Sequence, residues 1–547
     1  MVKNSRHRYL NWIYGAPLGL CLVFGIEASV IDEVRFTAWW TWVAVLIVGA
    51  TCSLLTGNLW NYMVKRFEAP LVPKKSFFDR FDTDKPYISF VRSAITIWFL
   101  HFIVFLGVYP GFFVYDAQEE LMEVVTRNFN TRHPLIHVLS MGGIIQAGYK
   151  LTGSYNIGIA VYTLFSMTLT ALLFGYIVYN LKKSGVGAAT RCMLTLYMGV
   201  FPVLVMYSLC SVKDSIFTLF LLLVVIYIKR LTNDPDKFFE TPRLSANMAC
   251  CVLLMLLFRS NAIYAVVLFL IFAVHVIFNI QSLNAYRNYF FGIFIFSAIA
   301  YFILNSTLIF ATGARNIGHS EILSVPIQQM ARVYDYDKDS MTDKEIEELT
   351  SFIPAEALSR YNPKCSDMVK IDFIDKAYED NTLGFYKLYL RLFVKHPIAY
   401  ANAFIMTSYG LWTPGAVIDG YTGNTVFTFT YGDSSYFGYE TEEPGERKPL
   451  IPFIDTFYRW LSLDVTIQKI PVINLIFSPG FMLWTLLFFV FYMIYTKNKK
   501  ESLAYFLPLM MVFTCVLGPI SLVRYGLCLW TMVPLIIIEV RTKRYIV

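Results

Sequence analysis

Apolar runs of close to twenty residues, separated by short polar stretches, leave this chain few ways to fold. A spanning helix needs about 20 mostly apolar residues. The candidate spans are 10–31, 37–60, 88–110, 155–181, 188–208, 211–230, 244–258, 261–280, 288–310, 476–496, 502–520 and 522–541. With 56% hydrophobic and only 16% charged residues, a soluble domain could not hide so much apolar surface. The expected class is therefore an all-α polytopic membrane protein. The first run follows "MVKNSRHRY" without an A-x-A-like cleavage site, so a retained span is expected rather than a signal peptide.

One apolar stretch, 134–152, is ambiguous: it opens with Pro134 and is broken by Gly142, Gly143 and Gln146. The tendency of basic residues to stay in the cytoplasm decides the matter. Basic clusters occur at Lys3/Arg6/Arg8, in 64–85, at Lys182/Lys183, Lys229/Arg230, Lys497/Lys499/Lys500 and Arg541/Lys543/Arg544. Twelve spans without 134–152 place all of these clusters, and both chain termini, in the cytoplasm. A thirteenth span there would send every later cluster outside. The stretch 134–152 is thus expected to be an interfacial or re-entrant helix on the outer face.

This topology divides the chain into two N-terminal spans with a cytoplasmic linker (1–87), a membrane core (88–310) with a first external loop at 111–154, an extracytoplasmic domain (311–475), and three C-terminal spans (476–547). The external domain is expected to be mixed, with helical patterns at 384–412 and short strands and loops in "DGYTGNTVFTFTYGDSSYFGYE" (419–440). "DYDKDSMTD" (335–343) fails as a calcium loop, because Ser340 and Ile346 stand where glycine and glutamate are needed. Thr342 and Glu345 instead have capping-box spacing. The nine cysteines lie mostly in apolar runs and form no CxxC or Cys/His zinc pattern. A net charge of +7 is modest for this length, and no nucleic-acid partner is expected.

Once sidedness is fixed, polar residues gather on the outer face. Asp116, Glu119, Glu120, Arg132 and His133 lie in "YPGFFVYDAQEELMEVVTRNFNTRHP" (109–134), and Lys213 and Asp214 in "YSLCSVKDSIF". Arg259 and Asn261 follow in "LLFRSNAIY", Gln328, Gln329 and Arg332 in "SVPIQQMARVYDYD", and Arg524 in "GPISLVRYG". Each has a plain structural reading. Lys213 and Asp214 can cap a helix and pair with each other, Arg259 and Arg524 can snorkel to head groups, and Asp116 with its glutamates can open a helix. Their shared side favours a site, because ionisable groups at a membrane boundary are expensive. Lys213, Arg259, Arg332 and Arg524 suit a phosphate or pyrophosphate. His133 before Pro134 is weighed as a metal ligand and set aside for want of a second histidine nearby, with His137 assigned to helix entry.

The order of these motifs resembles the GT-C superfamily of integral-membrane glycosyltransferases. More narrowly, "YPGFFVYDAQ", "RHP", "SVKDS", "FRSNAIY", "PIQQMARV" and "LVRYG" resemble a bacterial multi-pass family of unassigned function placed near those enzymes. The likeness runs from about residue 88 onward, with the first two spans as an addition. It implies a GT-C-like fold of about twelve transmembrane helices, and a sugar donor linked to polyprenyl phosphate. The acceptor would be a cell-envelope glycan or lipid, the anomeric centre would be inverted, and the site would lie at the cell membrane's outer face. Asp116 matches the family's general base or metal-holding aspartate, and its acidity is expected to be weakened by burial or neighbouring carboxylates. Arg259, Arg332, Lys213 and Arg524 would meet the departing phosphate, while Asn261, Gln328, Gln329 and His133 would orient the sugar or acceptor. Trp412, Tyr421 and Tyr436 would offer aromatic faces to the acceptor. The resemblance implies a divalent cation (Mg or Mn), which here would fall to Asp116 and Glu120, although the chain departs from the family's adjacent acids or Asp-x-Asp. A lipid-linked polysaccharide polymerase or ligase, or a secondary transporter, are the competing readings; the transporter predicts repeats and midplane charges that the chain lacks. The glycosyltransferase reading places Asp116, Arg259, Arg332 and Arg524 around one cavity.

Overall fold

Helices form at every expected apolar run. The computed structural model describes residues 9–67, 76–416, 441–463 and 470–546; among them no strand forms, only isolated bridges. Two helices open the chain, α1 (Leu10–Ile31) and α2 (Trp39–Arg66). They cross closely: a Cβ added at Gly19 would meet the Gly49 Cα at 2.4 Å. Small residues set such approaches between helices in lipid. The Tyr14 hydroxyl, donating to the Trp484 carbonyl at 3.0 Å, fastens this pair to the remaining bundle.

The core follows with α3 (Pro86–Gly107), α4 (Ala117–Thr126), α5 (Leu135–Thr152), α6 (Tyr155–Lys183), α7 (Ala188–Val200), α8 (Pro202–Ser208) and α9 (Lys213–Asn233). It continues with α10 (Pro242–Phe258), α11 (Ala262–Asn279) and α12 (Arg287–Thr312). Pro202 has no N–H for the helical ladder, and α7 and α8 meet there at 58°. Eight helices among the described residues are long and apolar enough to cross a bilayer, or nine if that bent pair is one span. α10 is apolar but has only 17 residues, as does a later helix, Pro479–Tyr495. The protein is an all-α polytopic membrane protein.

After α12 come α13 (Ser324–Tyr336), a set of short helices, and α14 (Pro397–Trp412). Thr342 and Glu345 form the expected capping box, with the Thr342 N–H donating to Glu345 at 2.9 Å and the Glu345 N–H to Thr342 Oγ1 at 3.3 Å. The described part of 311–475 consists of helices and loops with isolated bridges; the expected strands at 419–440, with Tyr421 and Tyr436, lie outside the described residues, as do Lys3, Arg6 and Arg8. Trp412 is a packing residue: its indole donates to Ser408 at 3.1 Å and its carbonyl accepts from the Trp484 indole at 2.8 Å. Three helices close the chain, α15 (Pro479–Tyr495), α16 (Lys499–Cys515) and α17 (Leu529–Thr542).

α9 and α17 are buried nearly all round and form the centre of the bundle. Lys229 on α9 meets Glu539 on α17 at 2.6 Å, and the Tyr505 hydroxyl from α16 donates to the same carboxylate at 2.7 Å. One end of the bundle gathers basic residues: Lys182 and Arg191 share Asp82, Arg230 donates to Asn180, and Arg544 donates to the Gly185 carbonyl. The opposite end carries the loop after α3, together with α4 and α5. α5, over the ambiguous stretch 134–152, is not among the eight helices counted as able to cross a bilayer. It crosses α6 at Gly158, where an added Cβ would meet the Ile145 carbonyl oxygen at 2.3 Å.

Candidate active site

The loop after α3 is threaded between two other segments. Its Phe112 N–H donates to the Leu209 carbonyl at 3.0 Å, and the Ser211 N–H donates to the Phe112 carbonyl at 2.9 Å. On the other side, the Glu442 N–H donates to the Phe113 carbonyl and the Thr441 hydroxyl to the Gly111 carbonyl, both at 2.8 Å. Buried backbone groups need such partners, and here they set three distant stretches of chain side by side. Gly111 adopts φ +128, and a Cβ there would lie 2.3 Å from Thr163 Oγ1. Tyr115 also has positive φ (62), a strained conformation for a residue with a Cβ. The strained turn delivers Asp116 to the N-cap position of α4, yet its carboxylate makes no capping bond and turns elsewhere.

That carboxylate begins a continuous ion network. Lys213 Nζ, at the first position of α9, donates to Asp116 at 2.7 Å and to His133 Nδ1 at 3.0 Å. Arg524 bridges two acids, with Nη1 at 3.4 Å from Asp116 and Nε at 3.7 Å from Asp214. Asp214 pairs with Arg259, whose Nε donates to Asn261 Oδ1 at 2.9 Å. Tyr115 lies 4.4 Å from the Arg524 guanidinium and Tyr525 lies 5.0 Å from that of Arg259, so aromatic faces wall the cations. Beneath Asp116, Glu120 is buried between His137 Nδ1 and Lys213, while His137 Nε2 lies 3.0 Å from the Tyr162 hydroxyl. Glu119 stands at the rim, 61% exposed, with Arg132 at 3.2 Å and His133 Nε2 at 3.4 Å.

The charges within the network nearly cancel: Asp116, Glu120 and Asp214 face Lys213, Arg259 and Arg524. Burial pushes the Asp116 carboxyl up, but Lys213, Arg524 and His133 outweigh it and hold the group well below the usual carboxylate range. The expected weakening of this acid is therefore reversed, because cations rather than carboxylates are its nearest neighbours. Burial also opposes ionisation of Glu120, and His137 with Lys213 again wins, leaving it lowered. Glu119 is lowered chiefly by its bond with His133. Glu442 is the exception. Burial, with Asp116 and Glu119 nearby, pushes its carboxyl up to about 8, and its Oε1 is buried with no hydrogen-bond partner among the described residues.

Asp116, Glu120, His133, Lys213, Asp214, Arg259, Asn261 and Arg524 thus come together at one end of the bundle. The plain readings do not hold for four of them: Lys213 and Asp214 pair with other residues, and Arg259 and Arg524 point into the network instead of snorkelling. Three expected residues belong elsewhere. Arg332 donates to the Asp32 carbonyl at 3.2 Å and to the Tyr361 hydroxyl at 3.3 Å, and its guanidinium packs over Tyr336. Gln328 donates to the Asn362 carbonyl, and Gln329 bonds Tyr400 and Tyr389. These contacts bind α13 to its helical neighbours, and none involves the Asp116 network. Two residues were missed. His137 is the second histidine, four residues beyond His133, where the short spacing was the available signal. Glu442 had no sequence signal, since only its backbone pairing with Phe113 places it here.

Oxygens of Asp116 and Glu120 and a ring nitrogen of His133 lie within 4.8 Å of one another, a donor set that suits a divalent cation. Lys213 Nζ stands among them, 3.7 Å from Glu120 as well as bonded to the other two. A metal ion would have to displace that ammonium, which already supplies positive charge at the same point.

Fold and site together define a polytopic helical membrane protein with a buried ion network at one end of its bundle. Within that class, the chain belongs to a family of unknown function (DUF6020), whose model matches residues 123–545. Asp116, Glu119 and Glu120 lie just ahead of the matched stretch, and the rest of the network lies inside it. No curated protein and no solved structure was found to match the chain.

Proposed function

We propose that this protein is a membrane glycosyltransferase of GT-C type. It would transfer a sugar from a polyprenyl-phosphate donor to a glycan or lipid acceptor at the outer face of the cell membrane. In this reading twelve spans cross the membrane, both termini are cytoplasmic, and 311–475 lies outside and selects the acceptor. The supporting observation is the convergence of Asp116, Lys213, Arg259 and Arg524, from four distant chain segments, at the end of the bundle opposite the basic clusters.

The reaction breaks the bond between the sugar C1 and the phosphate oxygen and forms one from C1 to the acceptor oxygen. Asp116 takes the acceptor proton, and the phosphate leaves with the electron pair, stabilised by Lys213, Arg524 and Arg259. A carboxylate held so low is a weak base while Lys213 and Arg524 attend to it. A bound phosphate shares those two cations, and the proton affinity of Asp116 rises as they turn away. The base is thereby strengthened only when the donor is in place. His133 and Asn261 orient the reacting groups, and protonated Glu442 offers a hydrogen-bond donor. If a divalent cation binds, Asp116, Glu120 and His133 hold it and it adds positive charge for the phosphate.

The donor class is tested by supplying the purified full-length protein with polyprenyl-phosphate sugars, nucleotide sugars and envelope extracts as acceptor. Sugar is expected to pass only from the polyprenyl-phosphate donors, with inversion seen in the anomeric NMR couplings. Transfer from nucleotide sugars alone overturns the donor assignment.

A further inference from the structure

A second site lies at the bundle end remote from Asp116. A cavity of about 440 Å³ opens between the start of α3, the ends of α6 and α9, and the short helix Pro235–Glu240. Its volume falls within the roughly 300–1,000 Å³ of small-molecule pockets. Lys183, Arg230 and Lys237 line it, with Asp234 as the single acid among the described lining residues. Asp234 is already engaged: its carboxylate accepts the Lys237 backbone N–H at 3.2 Å and caps the short helix.

The neighbouring cations show what is unusual here. Lys182 and Arg191 both bind Asp82, and Lys229 binds Glu539. Among the described residues, none of Lys183, Arg230 and Lys237 has a carboxylate partner. Arg230 is held in place, donating from Nη2 to Asn180 Oδ1 at 2.6 Å and packing 5.4 Å from the Tyr176 ring. Its Nε is buried and has no acceptor among the described residues. A buried donor of this kind is costly unless a ligand completes it. Lys183 lies 5.8 Å from the Tyr179 ring. The other walls are apolar, with Phe90, Phe238 and Leu244 facing the same space.

Three cations without carboxylate partners among the described residues, one of them held in place and two exposed, set against aromatic and aliphatic walls, match a ligand with an anionic head and a greasy body. We propose that this cavity binds the phosphate head group of an anionic membrane lipid, with Arg230, Lys183 and Lys237 holding its oxygens and Phe90, Phe238 and Leu244 covering its first methylenes. Basic pockets between spanning helices at a membrane boundary are suited to such head groups. The site is independent of the chemistry assigned to Asp116. Its two possible sources of phosphate, a lipid or the free ion, share the same recognition.

Native mass spectrometry of the full-length protein in detergent separates them. Phosphatidylglycerol, phosphatidylcholine and inorganic phosphate are each titrated in. Selective retention of phosphatidylglycerol is expected, weakened about fivefold for each cation removed in Lys237→Gln and Arg230→Gln. Lys182→Gln, which removes a neighbouring charge outside the cavity, is expected to retain the lipid as the wild type does. Displacement of phosphatidylglycerol by millimolar inorganic phosphate, lost in the same two variants, would assign the cavity to the free ion and overturn the lipid assignment. Equal retention of both lipids, or equal loss in Lys182→Gln, would overturn the site itself. Size-exclusion profiles of the variants report folding, and Lys237→Gln, on an exposed short helix, carries the test if Arg230→Gln does not fold.

Discussion

Asp116 and Glu442 share a neighbourhood and are driven in opposite directions. Lys213 and Arg524, with His133 beside them, hold Asp116 ionised, while burial and two nearby acids keep Glu442 protonated up to about pH 8. Above that pH Glu442 loses its proton and adds negative charge beside Asp116, so transfer is expected to fall on the alkaline side with an apparent pKa near 8. Glu442→Gln, neutral at every pH, should remove that limb; an unchanged profile in the variant would assign the limb to another group. The same shift acts on stability. A carboxyl raised from 4.5 to about 8 lends stability that is full below about pH 4.5 and is lost as pH rises through 8. Sequence reading reached Lys213, Asp214, Arg259 and Arg524 because a charge beside an apolar run is costly and has few bland explanations. It included Arg332 wrongly because nothing in "PIQQMARV" tells which side of α13 faces the bundle. Glu442 was invisible, being brought to Asp116 by a backbone bond to Phe113 more than three hundred residues away.

At the level of elements, the two central helices are joined by charge. Lys229 and Glu539 are almost wholly buried, 1% and 0% exposed, in a bundle whose other contacts are mostly apolar. Removing one partner strands the other, so Lys229→Met is expected to destabilise the protein by about 3–5 kcal/mol. Replacing both, as Lys229→Met with Glu539→Leu, should restore most of that loss. Thermal unfolding in detergent measures both; a single variant as stable as the wild type would show that water or another group satisfies Glu539. Individual helices were legible from run length alone. The shortness of α10 was legible too, from the brief run at 244–258. The bend at Pro202 and the shortness of α15 were not, because an apolar run marks where a helix lies and says little about how far it runs unbroken.

For the whole molecule, the sorting of charge between the two bundle ends is the feature most plainly written in the sequence. The ion network forms among residues that this sorting assigns to one side, while Gln328, Gln329 and Arg332 of the same group pack elsewhere. Absolute orientation rests on the basic end being cytoplasmic. A membrane-impermeant maleimide on intact cells should therefore label Leu151→Cys, at the exposed end of α5, and spare Lys497→Cys at the basic end, each read against the wild-type background. The reverse pattern would turn the molecule over and move the network inside.

The central assignment is Asp116 as the proton acceptor in transfer from a phosphate-linked donor. Single-turnover transfer from pre-bound polyprenyl-phosphate sugar, measured alongside donor affinity, tests it most directly. Asp116→Asn is expected to keep the donor bound and slow transfer by about 10²–10⁴-fold. Bound donor turning over in Asp116→Asn at the wild-type rate would contradict the assignment.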